Sequence, residues 1–187
     1  MDDSDLIKHS KEGDLDSFNR LVESYQGLVY NLALRMLGDR QTAEDASQDA
    51  FLSAWKNIGG FRGGRGGSFR AWLLCIVANV CRDQLRKSKR NPTASLEALP
   101  VEPESMSSSE SPEEYTLRRE MMEQIQEGLA ALSPEQRMAV ILSDIQGFSY
   151  EEMSQAMKCS LGTVRSRLSR GRARLRDYLV QKGTFSP

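Results

Sequence analysis

Apolar residues recur along this chain at intervals of three and four, and no segment sustains the strict alternation of a half-buried strand, so the pattern predicts an all-α protein. Asp14 is placed to cap a helix whose Phe18, Leu21, Val22, Tyr25, Leu28, Val29, Leu32 and Met36 form one stripe, with Gly38 as its C-terminal stop. A second helix is expected from Thr42, where Thr42-x-x-Asp45 has the form of a capping box. Its Ala43, Ala46, Ala50, Phe51, Ala54, Trp55 and Ile58 supply a buried face and leave Glu44, Asp45, Gln48 and Asp49 outside. A further helix runs from about Ser68 toward Lys89, burying Phe69, Trp72, Leu73, Ile76, Val77 and Val80, with Cys75, Asn79, Arg82 and Arg86 on the opposite stripe.

The second half repeats the logic from Tyr115 to Leu132. Ser133-Pro134-Glu135-Gln136 then marks a sharp helix start: serine caps, proline takes the first helical position and glutamine closes the box. Gly147 ends that helix, Ser149-Tyr150-Glu151-Glu152 opens another reaching about Lys158, and Cys159-Ser160 makes a short turn. The last helix, about Leu161 to Val180, buries Val164, Leu168, Leu175 and Leu179, leaving Ser166, Ser169 and Arg170 roughly opposite and Arg165 on the flank. A short helix, a tight turn and an arginine-rich helix suggest a helix-turn-helix, whose second helix lies in the DNA major groove. There arginine can donate two hydrogen bonds to guanine, and serine can serve either base edge.

Charge sharpens this picture. The 187 residues carry a formal net charge of −1, but its distribution is uneven. Residues 1–95 have 14 basic and 12 acidic side chains, 96–124 have 2 and 8, and 125–187 have 9 and 6. Residues 61–90 hold eight basic side chains against Asp83 alone, and residues 165–176 hold six arginines. Clustered arginine on helices is the electrostatic footprint of a polyanion, although exposed arginine also solubilises a helix. Residues 91–114, rich in proline, serine and acid, predict a flexible acidic linker. Its 24 or so residues give a root-mean-square span of about 25–30 Å and an extended reach of about 80 Å. It serves either as a passive tether or as a segment that occupies a groove itself.

Other classes recede. A hydrophobic share of 39% with 27% charged residues is a soluble globular composition. No run approaches 18 apolar residues and the acidic N-terminus is wrong for a signal peptide, so a cytoplasmic protein without direct membrane insertion is expected. Cys75, Cys81 and Cys159 form no CxxC pair, and the single His9 lies far from them, which argues against a disulfide framework or a metal site. No HExxH, phosphate-binding loop or Ser/His/Asp arrangement points to catalysis or to a cofactor.

Ala43 to Ile58 (AEDASQDAFLSAWKNI), Phe61 to Lys87 (FRGGRGGSFRAWLLCIVANVCRDQLRK) and Leu132 to Arg176, in that order around an acidic linker, resemble the extracytoplasmic-function, or group IV, sigma factors of bacterial RNA polymerase. The resemblance implies two small helical domains, the second with the helix-turn-helix. Region 2 would occupy residues 1–92, a linker 93–114, region 4 residues 115–182 and a tail 183–187. It implies a binding factor without catalysis of its own, which gives core polymerase promoter recognition and helps to open DNA. The β′ clamp helices would dock on Glu44, Asp45, Gln48 and Asp49, and the β flap on region 4. The minus-10 element would meet Phe61, Arg62, Arg65, Ser68, Asn79, Arg82 and Arg86, with Asn79 at the position that reads an extruded base. The minus-35 element would meet Thr163, Arg165, Ser166, Ser169 and Arg170, while Arg172, Arg174 and Arg176 would hold phosphate or solvent. An anti-sigma factor is an expected partner. The chain departs from the family in its doubled Arg62-Gly63-Gly64-Arg65-Gly66-Gly67, longer than the usual loop. A stand-alone helix-turn-helix regulator with a helical sensor domain is the competing reading; it accounts for residues 132–176 but not for the first module.

Overall fold

The computed structural model describes residues 2–63, 68–90 and 111–183. Among them the regular structure is helical, as the periodicity predicts. The expected linker lies outside the described residues apart from its last four positions, which already belong to a cap and a helix.

The first half comprises α1 (Asp3–Lys11), α2 (Leu15–Leu37), α3 (Arg40–Asn57) and α4 (Phe69–Arg90). α1 was not legible as an apolar stripe. Acids in its first turn and bases in its last suit the helix dipole, and Leu6 is its buried anchor. It is tied down at both ends: the Tyr25 hydroxyl donates to Asp3 Oδ2 at 2.6 Å, and Lys11 Nζ donates to the Phe61 carbonyl at 2.7 Å. Asp14 caps α2 by accepting from the Asp16 amide, and Gly38 ends it with φ of 80°, a left-handed conformation that glycine adopts without a Cβ penalty. The cap of α3 is Asp39 rather than Thr42. The Asp39 carboxylate accepts from the Thr42 amide at 2.8 Å and from the Thr42 hydroxyl, which makes Thr42 a residue of the first turn. The Thr42 hydroxyl, ahead of the backbone, holds the Asp39 carboxyl below the ordinary range. Ala43, Ala46, Ala50 and Ala54 are all fully buried, and their small side chains let α3 pack closely on α2 and α4.

The second half comprises α5 (Pro112–Ala130), α6 (Pro134–Val140, continued by a π-helical turn over Ile141–Ile145), α7 (Tyr150–Ala156) and α8 (Leu161–Gln181). α5 starts three residues before the expected Tyr115, because Ser111 and Glu114 form a reciprocal capping box. Ser133 caps α6 with Pro134 in its first turn, but Gln136 does not complete the box; its side-chain oxygen accepts from Arg174 Nη1 at 3.0 Å. The Ser149–Glu152 box forms as expected. α7 ends at Ala156, and the turn to α8 places Lys158 at φ of 50°. Gly171, which the apolar stripe did not flag, is buried where α8 crosses α6: a Cβ there would lie 2.8 Å from Val140 Cγ2 and 3.2 Å from the Gln136 carbonyl.

The two halves pack on each other. α4 lies against α6 and α7 as well as α2 and α3, and α2 touches α5 and α6. This is why α4 is buried on more than one stripe, with Leu74, Ala78 and Cys81 fully covered beside Leu73 and Val77. At the centre, Arg137 is 6% exposed and donates to the Met36 carbonyl near the end of α2 and to the Ala130 carbonyl at the end of α5.

Candidate functional site

Three surfaces carry the residues singled out above. On the first, Glu44, Asp45, Gln48 and Asp49 are all exposed on one side of α3. Beside Gln48 runs an apolar groove of about 380 Å³ whose walls include Leu15, Phe51, Leu52 and Trp55. Leu15 and Leu52 are more than half exposed, too far for core residues. The sequence reading missed them; the available signal was Leu52 one turn after Gln48, an apolar residue out of phase with the alanine stripe.

The second surface is the face of α4 and the loop before it. Phe61, expected to face DNA, is core: it is 6% exposed, and its ring packs 5.6 Å from Phe69 and 5.3 Å from Trp72 between centroids. Arg62 is exposed, and Arg65 lies outside the described residues. Ser68 caps α4, accepting from the Ala71 amide at 3.1 Å. Asn79, Arg82 and Arg86 do share one stripe, but it is not free. Asn79 Nδ2 donates to the Cys75 carbonyl at 2.7 Å and, across the seam, to the Ala156 carbonyl at 3.0 Å. Arg82 pairs with Asp83 at 3.2 Å, and Arg86 with Glu135 of α6 at 2.5 Å. Burial pushes the Glu135 carboxyl up, but the Arg86 hydrogen bond, the Glu135 amide and the nearby Arg86 and Arg167 charges outweigh it and hold it below the ordinary range.

The third surface is the exposed side of α8. Ser160 caps this helix through the Thr163 amide, and the Thr163 and Ser160 hydroxyls lie 3.0 Å apart, which fixes the start of the helix. Arg165, Ser169 and Arg170 are exposed and Ser166 is half-buried. Arg172 and Arg174, expected to hold phosphate or solvent, are exposed but bonded within the chain. Arg172 forms a fork with Asp144, at 3.0 and 2.5 Å, and Arg174 serves Gln136; Arg176 is exposed, beside Asp177 at 3.6 Å. A further residue enters here that the sequence reading did not name for this role. The Tyr150 ring at the start of α7 lies 5.8 Å from the Arg165 guanidinium and, with Arg165, Ser169 and Arg172, lines an open groove along α8. A cation held over a ring at an exposed site gains about 0.5–1 kcal/mol. Tyr150→Leu is therefore expected to weaken binding to a duplex minus-35 site about two- to fivefold and Tyr150→Phe to leave it unchanged, measured by fluorescence anisotropy.

This order of parts, an α3–α4 module followed by a helix-turn-helix module, is matched in known proteins. Residues 21–91 match the family described as sigma-70 region 2, and residues 122–175 match sigma-70 region 4. The chain is 36% identical over 168 residues to the extracytoplasmic-function sigma factor SigE of Mycolicibacterium smegmatis, covering 89% of this chain and 63% of that one. It is 33% identical over 178 residues to SigW of Bacillus subtilis, covering 92% and 94%. The chain belongs to the extracytoplasmic-function sigma factors. In three dimensions this sigma factor is similar to RpoE of Bartonella quintana, solved in complex with the anti-sigma factor NepR, with a TM-score of 0.68 and 28% identity over 88% of this chain and 98% of that one. As a member of the family it is an alternative sigma factor that associates with RNA polymerase and promoter DNA to initiate transcription. Among the described residues no helix is long and apolar enough to cross a membrane.

Proposed function

We propose that the α3 face docks the sigma factor on the β′ clamp helices of core polymerase, that the α4 stripe captures the minus-10 element, and that α8 reads the minus-35 element. The β flap is the partner of region 4, and the site of action is the cytoplasm, where the polymerase works. The observation that carries this division of labour is the separation of chemistry between surfaces: an exposed acidic-polar face with an apolar groove on α3, a basic stripe with one amide on α4, and an open serine–arginine face on α8. An acidic-polar face beside exposed leucines fits a protein partner, because the leucines supply area and the carboxylates steer and orient. Arginine and serine on a recognition helix fit base edges and phosphate. The family's mode of action is binding rather than catalysis, and the work assigned to each surface is of that kind. An anti-sigma factor is a further partner, supported by the complex in which the Bartonella relative was solved. The linker at 93–114 would let the two domains reach both promoter elements at once.

The test is initiation reconstituted from core polymerase, this chain and a randomised promoter library. Enrichment of two elements at a fixed spacing supports the reading, whereas duplex binding without polymerase and no initiation would favour the stand-alone regulator. Within the same system, Gln48→Ala combined with Asp49→Lys is expected to weaken core binding at least tenfold in a competition assay. Both side chains are exposed, so the melting temperature should stay within about 2 °C of the parent.

A further inference from the structure

α1 has no place in the division of labour set out above, yet it is tied to both feet of the basic loop that precedes α4. The entrance foot is Phe61. Lys11, the last residue of α1, donates from Nζ to the Phe61 carbonyl at 2.7 Å, and the same ammonium lies 5.6 Å from the centre of the Phe61 ring. α1 also packs on the short 3₁₀ turn Ile58–Gly60, whose Ile58 carbonyl accepts from the Phe61 amide at 3.0 Å. The exit foot is Phe69, which follows the Ser68 cap. Its ring stands edge-on to Tyr25 at 5.4 Å, and the Tyr25 hydroxyl donates to Asp3 in the first turn of α1 at 2.6 Å. Burial first, then the Asp3 hydrogen bond and charge, push that hydroxyl up to about 12, so it remains a donor at neutral pH.

The two feet meet in the core. The Phe61 and Phe69 rings are 5.6 Å apart, both pack on Trp72, and each residue is 6% exposed. Immediately beyond Phe61 the chain turns outward, with Arg62 and Gly63 exposed. Aromatic packing fixes where a foot lies, but burial of apolar surface is not directional and leaves the Phe61–Arg62 peptide free to rotate. A charge-assisted hydrogen bond to its carbonyl is directional and removes that freedom. The direction in which Arg62 leaves the core is therefore set by Lys11. Lys11 is itself an exposed residue, and its carbonyl partner could be hydrated in its absence, so the bond adds little to stability and much to orientation.

We propose that α1 is a positioning element for minus-10 recognition: Lys11 and the Asp3–Tyr25 pair orient the two feet of the loop that carries Arg62, and so set how sharply the sigma factor discriminates among bases at that element. Lys11 and Tyr25 act through Phe61 and Phe69 and not by touching DNA. The proposal rests on the assignment of this surface to the minus-10 element.

The test uses the full chain with core polymerase and two promoter series, one varying each minus-10 position with the minus-35 element fixed and one the reverse. Open-complex formation is followed by permanganate reactivity. Lys11→Met keeps the stem but removes the donor and the charge, Lys11→Arg restores both, and Tyr25→Phe keeps the ring on Phe69 while breaking the tie to Asp3. Lys11→Met is expected to reduce the rate ratio between the best and worst minus-10 base about fivefold and Tyr25→Phe about threefold, with Lys11→Arg within about twofold of the parent. Discrimination at the minus-35 element, core affinity and the melting temperature should hold. Lys8→Met, the same loss of charge at another exposed position of α1, should leave the minus-10 profile unchanged. An unchanged profile in Lys11→Met overturns the proposal, as does a loss shared equally by both elements or by Lys8→Met, or a Lys11→Arg as poor as Lys11→Met. Arg62→Ala and Asn79→Ala separate the two layers. If they flatten the minus-10 profile while Lys11→Met does not, only the role of α1 is lost; if neither alters it, the assignment of the surface falls and the role of α1 with it.

Discussion

Arg137→Ala should lower the thermal midpoint by about 4–16 °C and split a single unfolding transition into two. Arg137 is a buried guanidinium with no carboxylate partner among the hydrogen bonds it makes; its acceptors are the carbonyls of Met36 and Ala130, near the C-terminal ends of α2 and α5. Helix C-termini carry partial negative charge and unpaired carbonyls, so two of them converging on one arginine act as a divided counter-ion. Burial lowers the Arg137 pKa to about 10, which still leaves it charged at neutral pH. Truncation removes two charge-assisted hydrogen bonds of about 1.5–3 kcal/mol each and leaves both carbonyls without their donor, while the desolvation cost of the guanidinium is recovered. The balance is about 2–4 kcal/mol, and in a chain of this length 1 kcal/mol moves the midpoint by about 2–4 °C. The split follows from position, because Arg137 ties the α2 end of the first half to the second, and without it the halves lose a shared tie. Arg137→Lys should fall between, since a point charge cannot fork to two carbonyls as a guanidinium does. Circular dichroism melts of the three chains decide it. A midpoint within 1 °C of the parent would mean that both carbonyls are satisfied some other way.

That residue marks the boundary of what the sequence made legible. The all-α class, the two helical modules and the caps at Asp14, Gly38, Ser133 and Ser149 follow from local chemistry: each depends on a side chain and the backbone within four residues of it. The errors are of the same local kind and small. Thr42 lost the cap to Asp39 because a carboxylate at that position reaches the same amide, and Gln136 left its box because Arg174 competes for its oxygen. What the pattern did not carry is anything set by the packing of one half on the other. Arg137, Gly171 and Arg70 carry no distinguishing local signal, and their roles emerge only when α6 and α8 or α4 and Gln146 are brought together. Phe61 shows the same limit from the other side. The resemblance placed it against the minus-10 element, yet Phe69 and Trp72 on the next helix draw its ring inward. The exposed side of α8 and the outer face of α3 were legible because they face solvent, where periodicity alone decides.

The second large effect concerns Asn79, where the proposed base-reading role meets a contact between the two halves. In the base-reading role an amide pairs with the edge of an extruded base, and loss of a good base contact costs about 1–3 kcal/mol, which is about five- to two-hundredfold in the population of melted promoter. In the closed chain the same amide donates to Ala156 and leaves Oδ1 buried and unpaired. Alanine there gives up the hydrogen bonds to the Cys75 and Ala156 carbonyls and also removes an unsatisfied buried acceptor, so loss and gain in the closed form largely offset each other. Asn79→Ala is therefore expected to keep the compact fold, to bind core polymerase normally and to form the closed promoter complex within about threefold of the parent, while open-complex formation falls about tenfold or more. Permanganate reactivity of unpaired thymines reports melting, and footprinting of duplex DNA reports closed-complex occupancy. Asn79→Asp separates the parts further: an acceptor-only carboxylate beside DNA phosphate should lose melting at least as fully, and in the free chain it would face the Ala156 carbonyl oxygen and loosen the seam. A variant pair in which alanine costs melting and aspartate costs both melting and compaction is the signature of one amide that serves both a base and the contact between α4 and α7. Equal losses of closed and open complexes in both variants would place Asn79 in general DNA attraction instead.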